Sequence, residues 1–192
     1  MNYMKKLSAS SLLIALAALP VQAADYVIDT EGAHAFINFK VSHLGYSWVH
    51  GRFNQFSGVF SYDAEKPADA KIQIEINTDS VDSNHAERDK HLRNKELLNT
   101  SKFPKAEFVS TKIVPKPENK FEVYGNFTLN GVSKEIVILA EKLGEGQDPW
   151  GGHRVGFVGN TQLTLKDFGI NFDLGPAAKT VDLEFTFEGI RK

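Results

Sequence analysis

The chain has 192 residues, 22 basic and 24 acidic side chains, a formal net charge of −2 and no cysteine. This length suits one domain with a sizeable hydrophobic core, and the slightly acidic balance argues against nucleic acid as a partner. The absence of cysteine excludes disulfide bonds, thiol catalysis and zinc–thiolate sites.

The N-terminal residues have the three parts of a secretory signal peptide. Two lysines supply positive charge, the apolar run 7–19 is too short to span a membrane, and residues 21–23 fit a small-x-small cleavage site. We therefore predict cleavage between Ala23 and Ala24, and a single exported domain of residues 24–192. An uncleaved membrane anchor is the less favoured alternative.

Alternation of apolar and polar residues predicts that most of the chain forms β-strands with one buried face. The predicted strands lie near residues 35–41, 56–62, 71–76, 106–110, 121–129, 136–139, 155–165 and 181–188. Residues 136–139 are apolar on both faces, so their orientation stays open. Asn130-Gly131 predicts a type I′ hairpin turn. About eight consecutive strands without intervening helices predict an antiparallel sandwich or barrel.

One helix is predicted over residues 84–98, with Ser83 or Asp82 as its N-cap and with the oppositely charged Asp89 and Arg93 four residues apart. His85 and His91 are six residues apart, which places them on different faces of a helix and makes a metal site unfavourable. A solvated, salt-bridged surface is the favoured interpretation of this segment.

Phenylalanine is the most informative residue type in the chain. All fourteen phenylalanines follow residue 35, and there they outnumber the leucines. Such a set forms either a packed core or the wall of an apolar cavity, because eight-stranded barrels can be filled or can hold one small ligand. Composition and spacing leave both alternatives open.

Few motifs suggest catalysis. Residues 45–49 nearly match the G-x-S-x-G nucleophile motif but lack its last glycine. Ser47 with His43 or His50 is therefore the only simple candidate for the nucleophile and base of a hydrolase. Trp150 lies in a glycine-rich turn and either lines an opening or anchors the turn.

Several motifs together resemble the bacterial YceI family. They are Asp82–Arg93 followed by Phe103-Pro104, Leu129–Lys134, Asp148–Gly152 and Leu165–Phe168. The stretches 34–36 and 43–48 are most similar to enterobacterial members, and the resemblance spans residues 24–192. The chain departs from the family's usual pattern at two places. Residues 93–98 lie at the end of the predicted helix and put the ligand preference there in doubt, whereas Lys134-Glu135 is expected at a surface strand position with little consequence.

The resemblance implies an all-β fold, an extended eight-stranded antiparallel lipocalin-like β-barrel with one helix, in the periplasm. It also implies an elongated apolar pore for a long isoprenoid or fatty-acyl-type lipid, with no catalytic residue, metal or cofactor; a homodimer is compatible with it. The residues expected to line the pore are Ile37, Phe39, Phe56, Phe60, Ile72, Ile74, Phe108, Val123, Phe127, Ile138, Phe157, Leu163, Phe185 and Phe187. Trp150, His85 and Arg88 are expected at its mouth. A stress-related structural protein with a filled core is the main alternative, and a hydrolase is a weaker one.

Overall fold

The computed structural model describes residues 23–172 and 175–192, and the predicted signal segment lies almost wholly outside them, at residues 1–22. This part of the chain forms eleven strands, one α-helix and four short 3-10 turns. The strands are β1 (Ala24–Ile28), β2 (Phe36–His43), β3 (Ser47–Phe53), β4 (Phe56–Tyr62), β5 (Lys71–Asn77), β6 (Val81–Asp82), β7 (Lys105–Lys116), β8 (Lys120–Leu129), β9 (Val132–Gln147), β10 (His153–Thr164) and β11 (Thr180–Arg191). The helix, α1, is Ala86–Leu92.

The strands form one antiparallel sheet that closes into a barrel. The closed ring runs β1-β4-β5-β7-β8-β9-β10-β11, and β11 pairs again with β1. β1 and β2 pair with two successive stretches of β11. β4 pairs with β1, and β3 pairs with β2. In the same way, β5 pairs with β4, and β6 pairs with β3. Eleven strands therefore occupy eight positions, which confirms the predicted eight-stranded fold.

The β8–β9 hairpin turns at Asn130 and Gly131, whose φ angles are 52° and 76°. Two consecutive residues with positive φ make a type I′ turn, which matches the twist of the flanking strands and confirms the prediction. β9 then runs for sixteen residues, about 50 Å of extended chain. It leads away from the end of the barrel that carries α1, called the helix end below, to the end that carries the turn 148–152, called the clamp end.

Alternation along the strands sets the inward face. On β8, every second residue from Phe121 to Leu129 is buried, including Gly125, whose missing side chain leaves room for a neighbouring ring. On β9, Ile138 points into the barrel while Leu139 is exposed, which settles the ambiguous segment 136–139. The inward residues form one continuous hydrophobic cluster, and the fold is held by burial without any disulfide.

The helix is shorter than predicted, because α1 covers Ala86–Leu92 and not residues 84–98. Asn84 has φ +60°, a left-handed conformation that an α-helix cannot include. The N-cap is His85, whose Nδ1 accepts a hydrogen bond from the N–H of Arg88 at 3.2 Å. The predicted caps, Ser83 and Asp82, are therefore wrong. The chain leaves the helix after Leu92 in a series of turns.

The predicted pairing of Asp89 with Arg93 is also wrong. Asp89 is buried and accepts hydrogen bonds from the backbone N–H and the hydroxyl of Ser83. Arg93 instead donates to the backbone carbonyls of Asp79 and Val81, both at 2.8 Å. The charges of this segment thus attach it to the strand before it and do not form a solvated ladder.

Candidate ligand-binding site

Two apolar cavities are stacked inside the barrel. Cavity 1, toward the clamp end, has a volume of about 90 Å³, and cavity 2, toward the helix end, has about 100 Å³. Every residue that lines cavity 2 is apolar, and only Ser61 and Tyr62 add polar atoms to the side chains around cavity 1. On β5, β7 and β11, cavity 1 is lined by Ile74, Phe108 and Phe185, and cavity 2 by Ile76, Ala106 and Leu183, two positions away. The cavities are therefore separated by one layer of side chains.

Thirteen of the fourteen residues predicted to line a pore lie in these walls. Cavity 1 is lined by Phe60, Ile72, Ile74, Phe108, Val123, Ile138, Phe157, Phe185 and Phe187. Cavity 2 is lined by Ile37, Phe39, Phe127 and Leu163. Phe56 lines neither cavity; it is half-buried, with its ring 6.1 Å from that of Phe187. The structure thus places thirteen predicted residues on the cavity walls. That they contact a ligand stays a prediction.

The layer between the cavities contains the ring of Phe108. A methyl group on Gly125, the inward residue on the neighbouring strand β8, would lie 2.4 Å from Cζ of Phe108. The ring thus fills the space that the missing side chain leaves and is almost fully buried. Phe108 lines cavity 1, and Phe127, its cross-strand neighbour on β8, lines cavity 2.

Three leucines close cavity 2 at one end, and none of them is among the residues predicted to line the pore. Leu92 at the end of α1, and Leu97 and Leu98 in the turns after it, line this cavity at the helix end. The charges of this segment predict a solvated surface, which hides the role of its leucines. The available signal was the apolar residues themselves, since three leucines on a charged segment need a surface to pack against.

The clamp end is held by one arginine. Arg154 on β10 donates hydrogen bonds to Asp29 at 2.6 Å, to Asp148 at 2.9 Å and to Glu188 at 3.1 Å. The hydrogen bond from Arg154 lowers the pKa of Asp29, which is buried. Burial alone would raise the pKa of Asp148, but hydrogen bonds, including one from Arg154, lower it. This clamp joins the end of β1, the turn 148–152 and β11.

A second polar cluster lies above cavity 1. The ammonium group of Lys142 is 5.3 Å from the ring centre of Tyr62 and 3.1 Å from Glu145, which also faces His153 at 3.3 Å. Burial alone would lower the pKa of Lys142, but hydrogen bonding to Glu145 and Tyr62 raises it. Burial, followed by the charge of Glu145, raises the pKa of Tyr26. Polar groups are therefore concentrated where the apolar lumen meets the clamp end.

Comparison with known proteins agrees with this architecture. The family model described as the YceI-like domain matches residues 26–189. The chain belongs to the YceI-like family. A UPF0312 protein of Shewanella denitrificans is 59% identical over 191 residues, which cover 98% of this chain and 100% of the relative. A UPF0312 protein of Shewanella sp. strain MR-4 is 60% identical over 177 residues, 92% of this chain and 93% of the relative.

Solved structures share the fold of this YceI-like chain. The Campylobacter jejuni YceI protein has a TM-score of 0.71 at 27% identity, covering 80% of this chain and 91% of that chain. BcnA of Burkholderia cenocepacia has a TM-score of 0.76 at 22% identity, covering 84% and 98%. A polyisoprenoid binding domain of Saccharophagus degradans, implicated in plant cell wall breakdown, has a TM-score of 0.65 at 16% identity, covering 89% and 100%.

The three residues expected at a single pore mouth lie at opposite ends of the YceI-like barrel. Trp150 is at the clamp end, 77% exposed, with its ring 5.6 Å from the guanidinium of Arg154. His85 and Arg88 are at the helix end, where Arg88 donates to the hydroxyl and the carbonyl of Ser83. The expectation of one shared mouth is wrong, because the length of β9 separates the turn 148–152, which carries Trp150, from the helix end, which carries His85 and Arg88.

The candidates for catalysis and metal binding lie outside the cavities. Ser47 and His43 are cross-strand neighbours at an exposed hairpin tip, and neither lines a cavity. Among the described residues, Asp29, His34 and Glu188 could together offer three ligand atoms to a metal. Arg154 already binds both of these carboxylates, so this cluster is arranged for a guanidinium. No helix in the described ranges has the length and apolar character needed to cross a bilayer.

Proposed function

We propose that this protein is a periplasmic carrier that holds the apolar tail of a long isoprenoid-type lipid inside the barrel. The observation that carries the proposal is the stacked pair of cavities, whose walls are almost entirely apolar. Burial of a tail there would contribute about 25 cal/mol per Å² of apolar surface, offset by the entropy of ordering the chain. The fold shared with a polyisoprenoid binding domain supports this choice of ligand class.

The tail would occupy both cavities and displace the layer between them. Because side chains separate the two cavities, a long isoprenoid chain that fills both has to move those side chains. In this proposal the Phe108 ring, which packs over the bare backbone of Gly125, turns aside when the tail binds. The polar groups above cavity 1, the partly buried Lys142 and the buried Tyr62, would then face the polar end of the lipid.

The small cavity volumes favour one alternative, a structural protein whose core is filled and takes no ligand. Native mass spectrometry of protein purified from cells separates the two. The carrier predicts a co-purifying apolar species that organic solvent releases, and uptake of a polyprenyl alcohol by the emptied protein. A bare protein mass, together with no uptake of a polyprenyl alcohol or a fatty acid, would contradict the carrier.

The same purified protein tests the remaining alternative. A hydrolase would turn over ester substrates, and a Ser47→Ala variant would lose that activity. We expect no turnover, because Ser47 lies on the exposed hairpin tip and away from the lumen.

A further inference from the structure

The tip of the β2–β3 hairpin, residues 43–48, carries a cluster of large exposed apolar side chains. Leu44 is 56% exposed, Tyr46 is 89% exposed and Trp48 is 55% exposed. Single exposed apolar residues are common, but three within five residues at one tip form a contiguous feature. Phe172, 38% exposed, lies at the same end of the barrel, with its ring 5.1 Å from that of His91 on α1.

The backbone of this turn has a conformation that leucine disfavours. Leu44 has φ +56° and Gly45 has φ +82°, and the N–H of Tyr46 donates to the carbonyl of His43 at 3.0 Å. Glycine, asparagine or aspartate is the usual residue at the first of these positions, because leucine is strained in the left-handed region. A methyl group on Gly175 would lie 3.3 Å from Cδ2 of Leu44, so one branch of the leucine packs on the fold while more than half of the residue stays exposed.

The hairpin itself carries cationic and no anionic side chains. No acidic residue occurs from residue 32 to residue 62, although the chain as a whole has more acidic than basic side chains. Lys40 lies over the ring of Trp48 at 5.1 Å, and Arg52 lies further along the hairpin. Two carboxylates on neighbouring strands face these cations: Asp182 lies 3.7 Å from Lys40, and Asp82 is opposite Arg52.

The other exposed tryptophan provides a contrast. Trp150 is at the clamp end, its ring is packed against Arg154, and Glu141, Glu145 and Asp148 precede it on the same hairpin. An anionic surface would repel that tip. Apolar and aromatic side chains combined with cationic ones are therefore found at the helix end, a combination typical of surfaces that insert into the interface of an anionic bilayer.

The hairpin is also part of the lumen wall. Its inward residues Phe39, Val41 and Phe53 line cavity 2, on the opposite face of the strands that carry the exposed side chains. A bilayer that covers the tip would therefore lie against the helix end of the lumen.

We propose that the β2–β3 tip docks on the surface of an anionic lipid bilayer, with Leu44, Tyr46 and Trp48 in the interfacial layer. The proposal goes beyond lipid carriage and does not depend on it. A protein that docks but takes up no isoprenoid would contradict only the proposed function, and one that takes up isoprenoid but does not dock would contradict only this inference.

The two tryptophans allow a direct test, because each can report alone. In protein purified from cells expressing the full-length chain, Trp150→Phe leaves Trp48 as the reporter, and Trp48→Phe leaves Trp150. On addition of vesicles of three parts phosphatidylethanolamine to one part phosphatidylglycerol, the emission of Trp48 should shift to shorter wavelength. The emission of Trp150 should not move, and neutral phosphatidylcholine vesicles should give a much smaller response. A shift of Trp150 alone, or of neither tryptophan, overturns the proposal.

Cosedimentation with the same vesicles tests the residues. The Leu44→Ser, Tyr46→Ser, Trp48→Ser triple variant should bind at least tenfold more weakly, whereas Leu139→Ser, an equally exposed leucine on the barrel wall, should bind as the wild type does. If the triple variant does not fold, Tyr46→Ser alone should weaken binding measurably. Unchanged binding overturns the proposal. So does a concentration-dependent dimer that the triple variant loses without any vesicle binding, because a second copy would then cover the tip.

Discussion

Replacing Phe127 with tryptophan distinguishes a hollow lumen from a filled core. Phe127 is 4% exposed, lines cavity 2 and packs edge-to-face on Phe168 at 5.7 Å. In a filled core the larger ring would cost roughly 1–3 kcal/mol through overpacking. Here about 100 Å³ of cavity lies beside the ring, so we expect the free energy of unfolding to fall by less than about 1 kcal/mol.

The same substitution should hinder lipid uptake. The indole would occupy the space that an isoprenoid tail needs, so we expect affinity for a polyprenyl alcohol to drop at least tenfold, about 1.4 kcal/mol. Urea unfolding and lipid titration measure the two effects on one preparation. Asn126→Trp is the matched control, since it adds the same ring on the outer face of the same strand and should leave uptake unchanged. A stability loss of about 3 kcal/mol with unaltered uptake would refute the reasoning.

Three further substitutions test the supports of the barrel. Arg154→Met should lower the free energy of unfolding by about 2 kcal/mol at neutral pH, since the buried Asp29 carboxylate loses its arginine partner and keeps Gly32 and His34. Because the pKa of Asp29 is lowered in the folded protein, the stability that the pair contributes is present above about pH 4 and is lost as the pH falls through the lowered pKa. Urea unfolding from pH 3 to 7 should therefore show the wild type and the variant converging in acid; a constant difference would contradict the pairing. Gly131→Ala should destabilise by at least about 1 kcal/mol, because φ is +76° and the added methyl group would lie 2.4 Å from a phenylalanine ring. A melting temperature equal to that of the wild type would count against that turn geometry. Asp89→Asn should cost about 1–2 kcal/mol by weakening charge-assisted hydrogen bonds and should speed hydrogen exchange in α1, whereas unchanged exchange would show that Asp89 does not anchor the helix.

Features set by neighbouring residues were predictable from the sequence alone. Apolar alternation identified eight of the eleven strands, without β1, β3 and β6, because side chains on a strand point to opposite faces with period two. Thirteen of the fourteen residues predicted to line the pore lie in the cavity walls. Asn130-Gly131 identified the hairpin, because few residue pairs adopt two positive φ angles. The N-terminal signal rests on the sequence only, since it lies almost entirely outside the described residues.

Features that join distant residues were decided by the tertiary structure. Arg154 and Asp29 are 125 residues apart, and only barrel closure brings them within hydrogen-bonding distance. The left-handed Asn84 shortened the helix, and the leucines after it were assigned only once cavity 2 existed for them to line. Periodicity shows which way a side chain points but not how much space it leaves. The sequence therefore determined strands with an apolar face, while their closure into a barrel, the division of its interior into two cavities, and the placement of Trp150 and His85 at opposite ends came from the folded chain.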